Sequence, residues 1–509
     1  MPTMSEIQQS DKIEDLRKQF DNVLQIVITA AEGAEAVDKV ERTLWSSMMR
    51  IGKGAMGLYF SLAGDGNAGE RVKLPDGKEV VRLKNRHVRK YRSVFGEFTL
   101  PRAVYGTREG QKIEYVPLDA RLQLPKGKFS YLLQEWASSL SLEVPFARVS
   151  QILERILGFR LSINSLERGS HWCASDVDDF WEGRPIPPAE EEGELLVCSA
   201  DGKGVPMRRS ETEKQRERAK PSDEMHSGDK KIGLLGSVYT VDKYPRTSQE
   251  VLDALFRSAD SSPDEKTRPK PRFKHVRAAL KRDHADTTAP QTKEIFQWMA
   301  KEVEQRGQQG KKPLVLLMDG QESLWNAGLK YLPEKKFQVV EVLDLLHATS
   351  YVWKAVHLFY SVNSNQAKKL AQKQIERLLS GKMESMIRSF RMKADRKKLS
   401  HKQKVELEKV LGYFINNAER MNYAEYLAAG YPIASGVIEG ACRTVIKDRM
   451  ERSGMRWVFA GAHAMMSLRS IDLSDLWDDF LRYRIEKEKL RLYPGIAAND
   501  DSMSIPLVA

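Results

Sequence analysis

Two short apolar runs, each followed by Asp and Gly, constrain the fold of this chain more than any other feature. Residues 194–200 read ELLVCSA and precede Asp201, and residues 313–318 read PLVLLM and precede Asp319. Apolar runs of this length, bounded by turn residues, are typical of strands buried inside a sheet. In α/β folds, ligands gather at the carboxyl ends of such strands. The pattern therefore predicts two carboxylates at one sheet edge, although each Asp-Gly alone is also a common turn.

A third apolar run, residues 337–343, ends in Asp344, which is followed by His347 in the sequence DLLH. Residues three apart share one face of a helix, so this pair can bind a metal or each other. A structural hydrogen-bonded pair is the simpler interpretation. Because Asp319 and Asp344 both follow apolar strands, spacing does not decide which is the second ligand of a metal site. The repeated strand, Asp, Gly pattern favours Asp319.

A predicted helix that starts at Ser435 and ends at Gly454 carries another acid, Glu439. Ser can accept a hydrogen bond from a free amide at a helix start, and Gly can take the left-handed position at its end. Glu439 falls in one row with Arg443 and Lys447. Read alone, this row indicates a surface ion pair between Glu439 and Arg443. With the strand acids upstream, Glu439 becomes a candidate third metal ligand.

The acids Asp201, Asp319 and Glu439 are of the kind that phosphodiester chemistry requires. Hard cations such as Mg²⁺ or Mn²⁺ prefer carboxylate oxygens and keep water in their remaining positions. Two ions roughly 3.5 to 4 Å apart can activate the attacking oxygen and stabilise the leaving one. We therefore expect the three acids to be catalytic residues and ligands of Mg²⁺ or Mn²⁺, with two ions bound.

The formal net charge of +12 indicates a polyanionic partner, of which nucleic acid is the commonest. Residues 266–282, KTRPKPRFKHVRAALKR, form the densest basic run and are interpreted as an exposed arm leading into a helix. A solvated surface is the alternative. We expect contacts to double-stranded DNA from the following basic residues: Lys203, Lys266, Arg268, Lys270, Arg272, Lys274, Arg277, Arg443, Lys447, Arg449 and Arg452.

The three cysteines, Cys173, Cys198 and Cys442, form no CxxC pair and predict neither a zinc ribbon nor a disulfide framework. No apolar run approaches the roughly 20 residues of a membrane span. We expect no membrane association and a reducing, cytoplasmic location.

The expected fold class is a multidomain α/β plus α protein, in which helical and small β regions precede the sheet that carries the acids. The predicted regions are helices over 1–66, a small β region over 67–125, three helices with helix-turn-helix as an alternative over 126–185, an α/β core over 193–345 and 431–472, a helical insertion over 346–430, and a C-terminal helix and tail over 473–509.

Four motifs together resemble a known family. They read ADGKGVPM around Asp201, VLLMDGQESLW around Asp319, EVLDLLH with Asp344 and His347, and IASGVIEGACRTVIKDRMERSGMRW around Glu439. In this order they resemble the DDE transposases of bacterial insertion sequences, in the ISKra group related to Mutator-like elements. The resemblance covers roughly residues 194–469.

The resemblance implies an RNase H-like core in which Asp201, Asp319 and Glu439 bind the metals, interrupted by a helical insertion before the glutamate. It also implies that Asp344 and His347 support the active centre. The expected activity is binding of the inverted repeats at transposon ends, metal-dependent cleavage and strand transfer, by a homo-oligomer assembled on DNA. The alternatives are a nuclease that cuts without joining and a non-catalytic DNA-binding protein derived from a transposase.

Overall fold

A computed structural model shows a mixed α/β protein that is 57% helical. Its described residues form two compact units, the first extending up to Cys173 and resuming at Asp478, the second running from Ala174 to Trp477. No helix in this part of the chain combines the length and apolar character needed to cross a bilayer. The described residues are 4–85, 87–110, 112–210, 230–256, 268–281, 290–307, 310–333 and 336–494.

The first unit begins with two long helices, α1 (Met4–Glu32) and α2 (Val37–Ala63). Both helices lie in the region predicted to be helical, residues 1–66, and they separate near Gly33. Apolar side chains on the inner faces are buried, among them Val23 in α1 and Phe60 in α2. Burial of such a stripe is what stabilises amphipathic helices of this kind.

Short antiparallel strands follow, as the β-branched and aromatic residues of this region predict. They are β1 (Arg71–Lys73), β2 (Glu79–Arg82), β3 (His87–Ser93), β4 (Gly96–Arg102) and β5 (Tyr105–Gly106). Strands β1, β2 and β5 form one sheet, and β3 pairs with β4 as a separate hairpin. A short helix that the sequence analysis did not predict, α3 (Pro117–Arg121), comes next.

The predicted three-helix region contains four helices: α4 (Tyr131–Glu143), α5 (Phe146–Leu157), α6 (Ile163–Ala174) and α7 (Val177–Gly183). Helices α4 to α6 bury a common core that includes Leu133, Val149 and Leu153. Gly158 ends α5 in the left-handed conformation, as predicted. The short helix α7 belongs to the second unit, so the three-helix prediction was wrong by this one element. A helix-turn-helix role for this region stays a prediction.

The second unit is built on a mixed five-stranded sheet. Its strands are β6 (Leu195–Pro206), β7 (Lys230–Val241), β8 (Arg272–Leu280), β9 (Leu314–Met318) and β10 (Val339–Leu343). The spatial order is β10-β9-β6-β7-β8. Strands β6, β9 and β10 run parallel, whereas β7 is antiparallel to both β6 and β8. The three apolar runs that precede acids in the sequence are therefore three neighbouring parallel strands.

The basic run at 266–282 was predicted to be an exposed arm leading into a helix, and this was wrong for its described part. Arg272–Leu280 is the edge strand β8, with His275, Val276 and Leu280 buried. This strand pairs with β7 and packs against the helices Pro290–Arg306 and Phe459–Leu473, and its burial outweighs the exposure expected from the charge of the run. Residues 257–267 and 282–289, including Lys266, lie outside the described residues.

Helices surround and interrupt this sheet. They are α8 (Ser248–Phe256), α9 (Pro290–Arg306), α10 (Glu322–Tyr331), α11 (Leu345–His357), α12 (Asn365–Leu379), α13 (Met383–Arg396), α14 (His401–Asn416) and α15 (Tyr423–Ala428). Helices α11 to α15 lie between β10 and the segment that carries Glu439, and this stretch is helical as predicted.

The helix predicted to run from Ser435 to Gly454 is broken. It consists of α16 (Gly436–Cys442), a π-helical segment (Arg443–Lys447), α17 (Asp448–Met450) and a 3₁₀ turn (Arg452–Gly454). Buried residues recur here every four positions, as in Ala441, Val445 and Arg449. An α-helix advances 3.6 residues per turn, so such a row would drift off the core, and a wider π turn keeps it in place.

The last two helices of the described residues are α18 (Phe459–Leu473) and α19 (Trp477–Leu492). From Asp478 onward α19 belongs to the first unit. There Glu488 accepts a hydrogen bond from the Lys126 amide at 2.8 Å, and the Arg484 guanidinium lies 3.9 Å from the Trp172 ring centroid. The C-terminal helix is thus packed on N-terminal elements of its unit.

Candidate active site

Three strand acids lie at one level of the sheet. Strand β6 pairs with β9 so that Cys198 is level with Leu316, and Asp201 and Asp319 each follow three residues later. The amide of Asp344 donates to the Met318 carbonyl at 2.8 Å, which places Asp344 level with the residue after Met318, Asp319. Parallel pairing therefore brings together three carboxylates that are far apart in sequence.

Asp201 was predicted to follow the end of its strand, and this detail was wrong. Strand β6 continues to Pro206, and Asp201 pairs with Leu235 of β7. Gly202 does not form a turn: a Cβ there would lie 3.1 Å from Ile232 Cγ2, so glycine permits close strand contact. Asp201 is half-buried, and its Oδ1 accepts a hydrogen bond from the Gly202 amide at 2.7 Å.

Asp319 follows β9 directly, as predicted, and is half-buried. Its Oδ1 accepts from the Gln321 amide at 2.9 Å, and its carbonyl accepts from Trp325 Nε1 at 2.7 Å. Trp325 is almost fully buried, so this bond fixes the backbone of Asp319 to the core. Its side chain remains half-accessible for a ligand.

Asp344 is used differently, because its carboxylate is buried and bonded to backbone amides. It caps α11 by accepting from Leu346 and His347 amides at 3.1 and 3.3 Å. It also accepts from the Ser435 amide at 3.1 Å. This pattern supports a structural role for Asp344 and favours Asp319 as the second ligand. Asp344 and His347 are paired as predicted, but the hydrogen bond is donated by the backbone amide of His347 and not by its ring.

Glu439 lies on α16, whose first residues are tied to the end of β10. Besides the Ser435 bond, the Leu345 amide donates to the Ile433 carbonyl at 2.8 Å. Ser435 precedes the helix as predicted, but its side chain makes no capping bond to an amide. Arg443, the expected surface partner of Glu439, instead lies 3.7 Å from Asp448, five residues on.

Electrostatic effects couple these acids. The pKa of Asp201 is raised, chiefly by burial and further by the charge of Asp319, although hydrogen bonds from Cys442 and Gly202 oppose the shift. The pKa of Glu439 is also raised, first by partial loss of water, although the residue is exposed by surface area, and then by Asp344 and Asp201. Repulsion of this kind falls off with distance, so Glu439 lies near Asp201 and Asp344, and Asp201 lies near Asp319.

These acids are not preassembled into a metal site. Within the described ranges, no three His, Cys, Asp or Glu side chains are arranged so that they could hold a metal ion. The donor chemistry nevertheless fits a hard cation, because carboxylates whose pKa values are raised by burial and mutual repulsion gain from a positive charge. An open set also suits Mg²⁺, which keeps several waters and uses few protein ligands alongside substrate phosphates.

Basic residues near the acids fall into two groups. Lys203, two residues beyond Asp201, is half-buried and lowers the pKa of that acid, whereas Arg443, Lys447 and Arg452 are exposed. Arg449 was predicted to contact DNA, but it is 1% exposed, and its guanidinium lies 5.3 Å from the Trp457 ring centroid. Arg449 is therefore a core residue in this structure, in line with Val445 and Ala441, which are buried four and eight residues before it.

The basic residues of β8 are largely engaged within the protein. Arg272 pairs with Asp242 at 2.6 Å, and Arg277 pairs with Asp178 and Glu294 at 2.7 and 3.2 Å. The DNA contact by Arg277 stays a prediction, although its side chain is only 16% exposed and is paired within the protein. Three further predicted contacts are Arg268 and Lys270, which are exposed, and Lys274, which is half-buried.

One residue near the acids was missed from the sequence. Tyr413 of α14 stacks on Tyr351 with ring centroids 3.7 Å apart, and the His347 ring lies 5.9 Å away. Apolar periodicity assigns Tyr413 only to a helix of the insertion. The signal that points to it is Gly320, whose lack of a side chain leaves room for its ring.

Comparison with models of protein families gave no match, and comparison with curated proteins gave no match either.

Proposed function

We propose that this protein is a DDE transposase that binds the inverted repeats of its own element, cleaves the ends and joins the freed 3′ hydroxyls to target DNA. One observation carries the proposal. Asp201 and Asp319 lie at one level of two adjacent parallel strands, and Glu439, which follows a helical insertion, lies close enough to Asp201 for the charge of that acid to raise its pKa. Each of the four sequence motifs contributes one of the neighbouring acids Asp201, Asp319, Asp344 and Glu439.

The order of the strands supports an RNase H-like core. Numbered within the sheet, β6 to β10 have the spatial order 5-4-1-2-3, with the second strand antiparallel to its neighbours and the last two parallel to the first. The first and fourth strands supply Asp201 and Asp319. This arrangement supports the RNase H-like core that the resemblance to DDE transposases implies.

In the proposed reaction, Asp201, Asp319 and Glu439 would hold two Mg²⁺ or Mn²⁺ ions. Bound there, the ions would supply activation of the attacking oxygen and charge stabilisation of the leaving oxygen of a phosphodiester. The raised pKa values of Asp201 and Glu439 make the site favourable for a cation. No covalent protein intermediate is required.

Arg443 and Lys447 are exposed and follow Glu439 at four and eight residues on the same segment. They are proposed to hold phosphates next to the scissile bond. Lys203, beside Asp201, is proposed to do the same from the sheet. Contacts of this kind position the duplex without reading its sequence. A homo-oligomer on the paired DNA ends is part of the proposal.

The test uses double-stranded oligonucleotides that carry the terminal repeats flanking the gene, with Mg²⁺ or Mn²⁺. Asp201→Asn, Asp319→Asn and Glu439→Gln should each reduce cleavage by about a thousandfold or more, equal to roughly 4 kcal/mol of transition-state stabilisation. End binding, measured by gel shift, should persist. Glu408→Gln is the matched control, because Glu408 is an acid of the insertion paired with Arg391 at 2.8 Å.

Cleavage that survives Glu439→Gln would overturn the catalytic assignment. Cleavage without joining of the 3′ end to a target plasmid would identify a nuclease, and specific end binding with no metal-dependent cleavage would identify a DNA-binding protein.

A further inference from the structure

The helical insertion returns to the acidic site at Tyr413. Helix α11 starts at the site with Asp344 as its cap, and α14 packs against it. The rings of Tyr413 on α14 and Tyr351 on α11 are stacked with an interplanar angle of 6°. The Asn417 side chain donates to the Tyr413 carbonyl at 2.9 Å, which fixes the end of α14. The position of the Tyr413 ring is therefore determined from both sides.

This ring occupies the space beside the residue that follows Asp319. A Cβ at Gly320 would lie 2.5 Å from Tyr413 Cε2 and 2.7 Å from its Oη. Real Cβ atoms do not approach other atoms so closely. Gly320 has no positive φ, so its backbone does not require glycine. The glycine of the second strand, Asp, Gly motif thus admits Tyr413 to the immediate neighbourhood of Asp319.

The Tyr413 hydroxyl is buried and has no hydrogen-bond partner among the described residues. A buried hydroxyl without a partner is unfavourable, so a state in which it is paired is the more stable one. With its ordinary pKa of about 10, a tyrosine hydroxyl is protonated at neutral pH and can donate a hydrogen bond. Of the two neighbouring acids, Asp319 is the better acceptor for the Tyr413 hydroxyl, because the Asp344 oxygens already accept hydrogen bonds from three backbone amides.

We infer that Tyr413 is a positioning residue of the acidic site: when a divalent cation is bound, its hydroxyl donates a hydrogen bond to the Asp319 carboxylate and holds that carboxylate on the cation. The inference rests on the proposed function only in taking Asp319 as a metal ligand. Groups that hydrogen-bond a metal ligand orient it, and their loss commonly weakens metal affinity by about 10 to 100-fold. The insertion then contributes directly to the metal site.

The test is Tyr413→Phe, which removes the hydroxyl and keeps the ring stacked on Tyr351. Mn²⁺ binding is measured without DNA, from the electron paramagnetic resonance signal of free Mn²⁺ during titration. We expect about tenfold or weaker binding. The melting temperature without metal should equal or exceed that of the wild type, because an unpaired buried hydroxyl is lost. Tyr351→Phe, which removes the hydroxyl of the other ring, should bind Mn²⁺ like the wild type.

A second readout is the metal dependence of DNA cleavage. In Tyr413→Phe the metal concentration for half-maximal rate should rise about tenfold, while the rate at saturating metal stays within about threefold of wild type. Mn²⁺ affinity within twofold of wild type would overturn the inference. Asp319→Asn separates this outcome from failure of the proposed function: if that variant also binds Mn²⁺ like the wild type, the metal site itself is wrong.

Discussion

Gly320→Ala tests the close approach of the insertion to the sheet. The added Cβ would lie 2.5 Å from Tyr413 Cε2, 2.7 Å from Oη and 3.0 Å from Cζ. A flexible side chain could move aside at little cost, but this ring is stacked on Tyr351 with 3.7 Å between centroids. The substitution must therefore displace the stacked pair or the backbone that carries Asp319.

The expected magnitude follows from two opposing effects. Forcing extra atoms into a packed contact costs about 1–3 kcal/mol. Replacing glycine by alanine stabilises by about 0.4–1 kcal/mol, because the unfolded chain loses freedom. The clash is the larger effect, so Gly320→Ala should lower the free energy of unfolding by about 1–2 kcal/mol. Combined with Tyr413→Ala, most of this cost should disappear, giving a coupling energy of about 1 kcal/mol or more.

The assay is urea unfolding followed by circular dichroism and fitted with two transitions, since the chain forms two compact units. Gly412→Ala is the matched control. Gly412 lies on the same helix as Tyr413, a Cβ there would meet no atom within 4 Å, and alanine is the better helix former. It should stabilise by about 0.5–1 kcal/mol. If Gly320→Ala and Gly412→Ala change stability in the same direction, the proposed contact is refuted.

Two further predictions concern charge. Because burial raises the folded-state pKa of Asp201, its charged form destabilises the fold once pH rises through that pKa. Asp201→Asn should therefore raise the free energy of unfolding by about 0.5–2 kcal/mol at pH 7, and this gain should shrink as the pH falls toward about 4. Urea unfolding measures it, and a gain that stays constant across this pH range would contradict the prediction. Lys447→Ala should reduce the slope of log binding constant against log salt concentration by about 1, whereas Arg277→Ala, whose side chain is paired with Glu294, should leave it unchanged. Equal slopes for both variants in fluorescence anisotropy would remove Lys447 from the DNA contacts.

The sequence predicted the parallel strands β6, β9 and β10 of the five-stranded sheet because short apolar runs report burial directly. It predicted Asp319 after its strand, but placed Asp201 at a strand end when β6 runs on to Pro206. The error came from the glycine after Asp201. Gly202 lies within strand β6 and permits the close approach of Ile232, whereas Gly320 does follow its strand and leaves room for Tyr413. A glycine needed for packing looks the same in sequence as one needed for a turn.

The basic edge strand shows a second limit. Its charges were assigned to DNA because few acids lie nearby in sequence. Their partners come from other elements: Asp178 precedes the sheet and Glu294 follows on α9. His275 is likewise buried against Glu302 at 2.7 Å. Ion pairs across such separations depend on tertiary structure and cannot be obtained from local charge density.

The placement of Glu439 depends most on tertiary contacts, and Asp344 explains how it is achieved. The buried Asp344 carboxylate accepts from α11 and from the Ser435 amide, so one side chain joins the end of β10, the start of the insertion and the start of α16. Since β10 is in register with β9, this joint places α16 relative to Asp319 and β6. A carboxylate fully committed to backbone amides has little capacity left for a metal. Asp344 therefore positions the segment that carries Glu439 across the insertion. Of the two candidates for the second ligand, Asp319 is the one whose carboxylate remains available for the proposed cation.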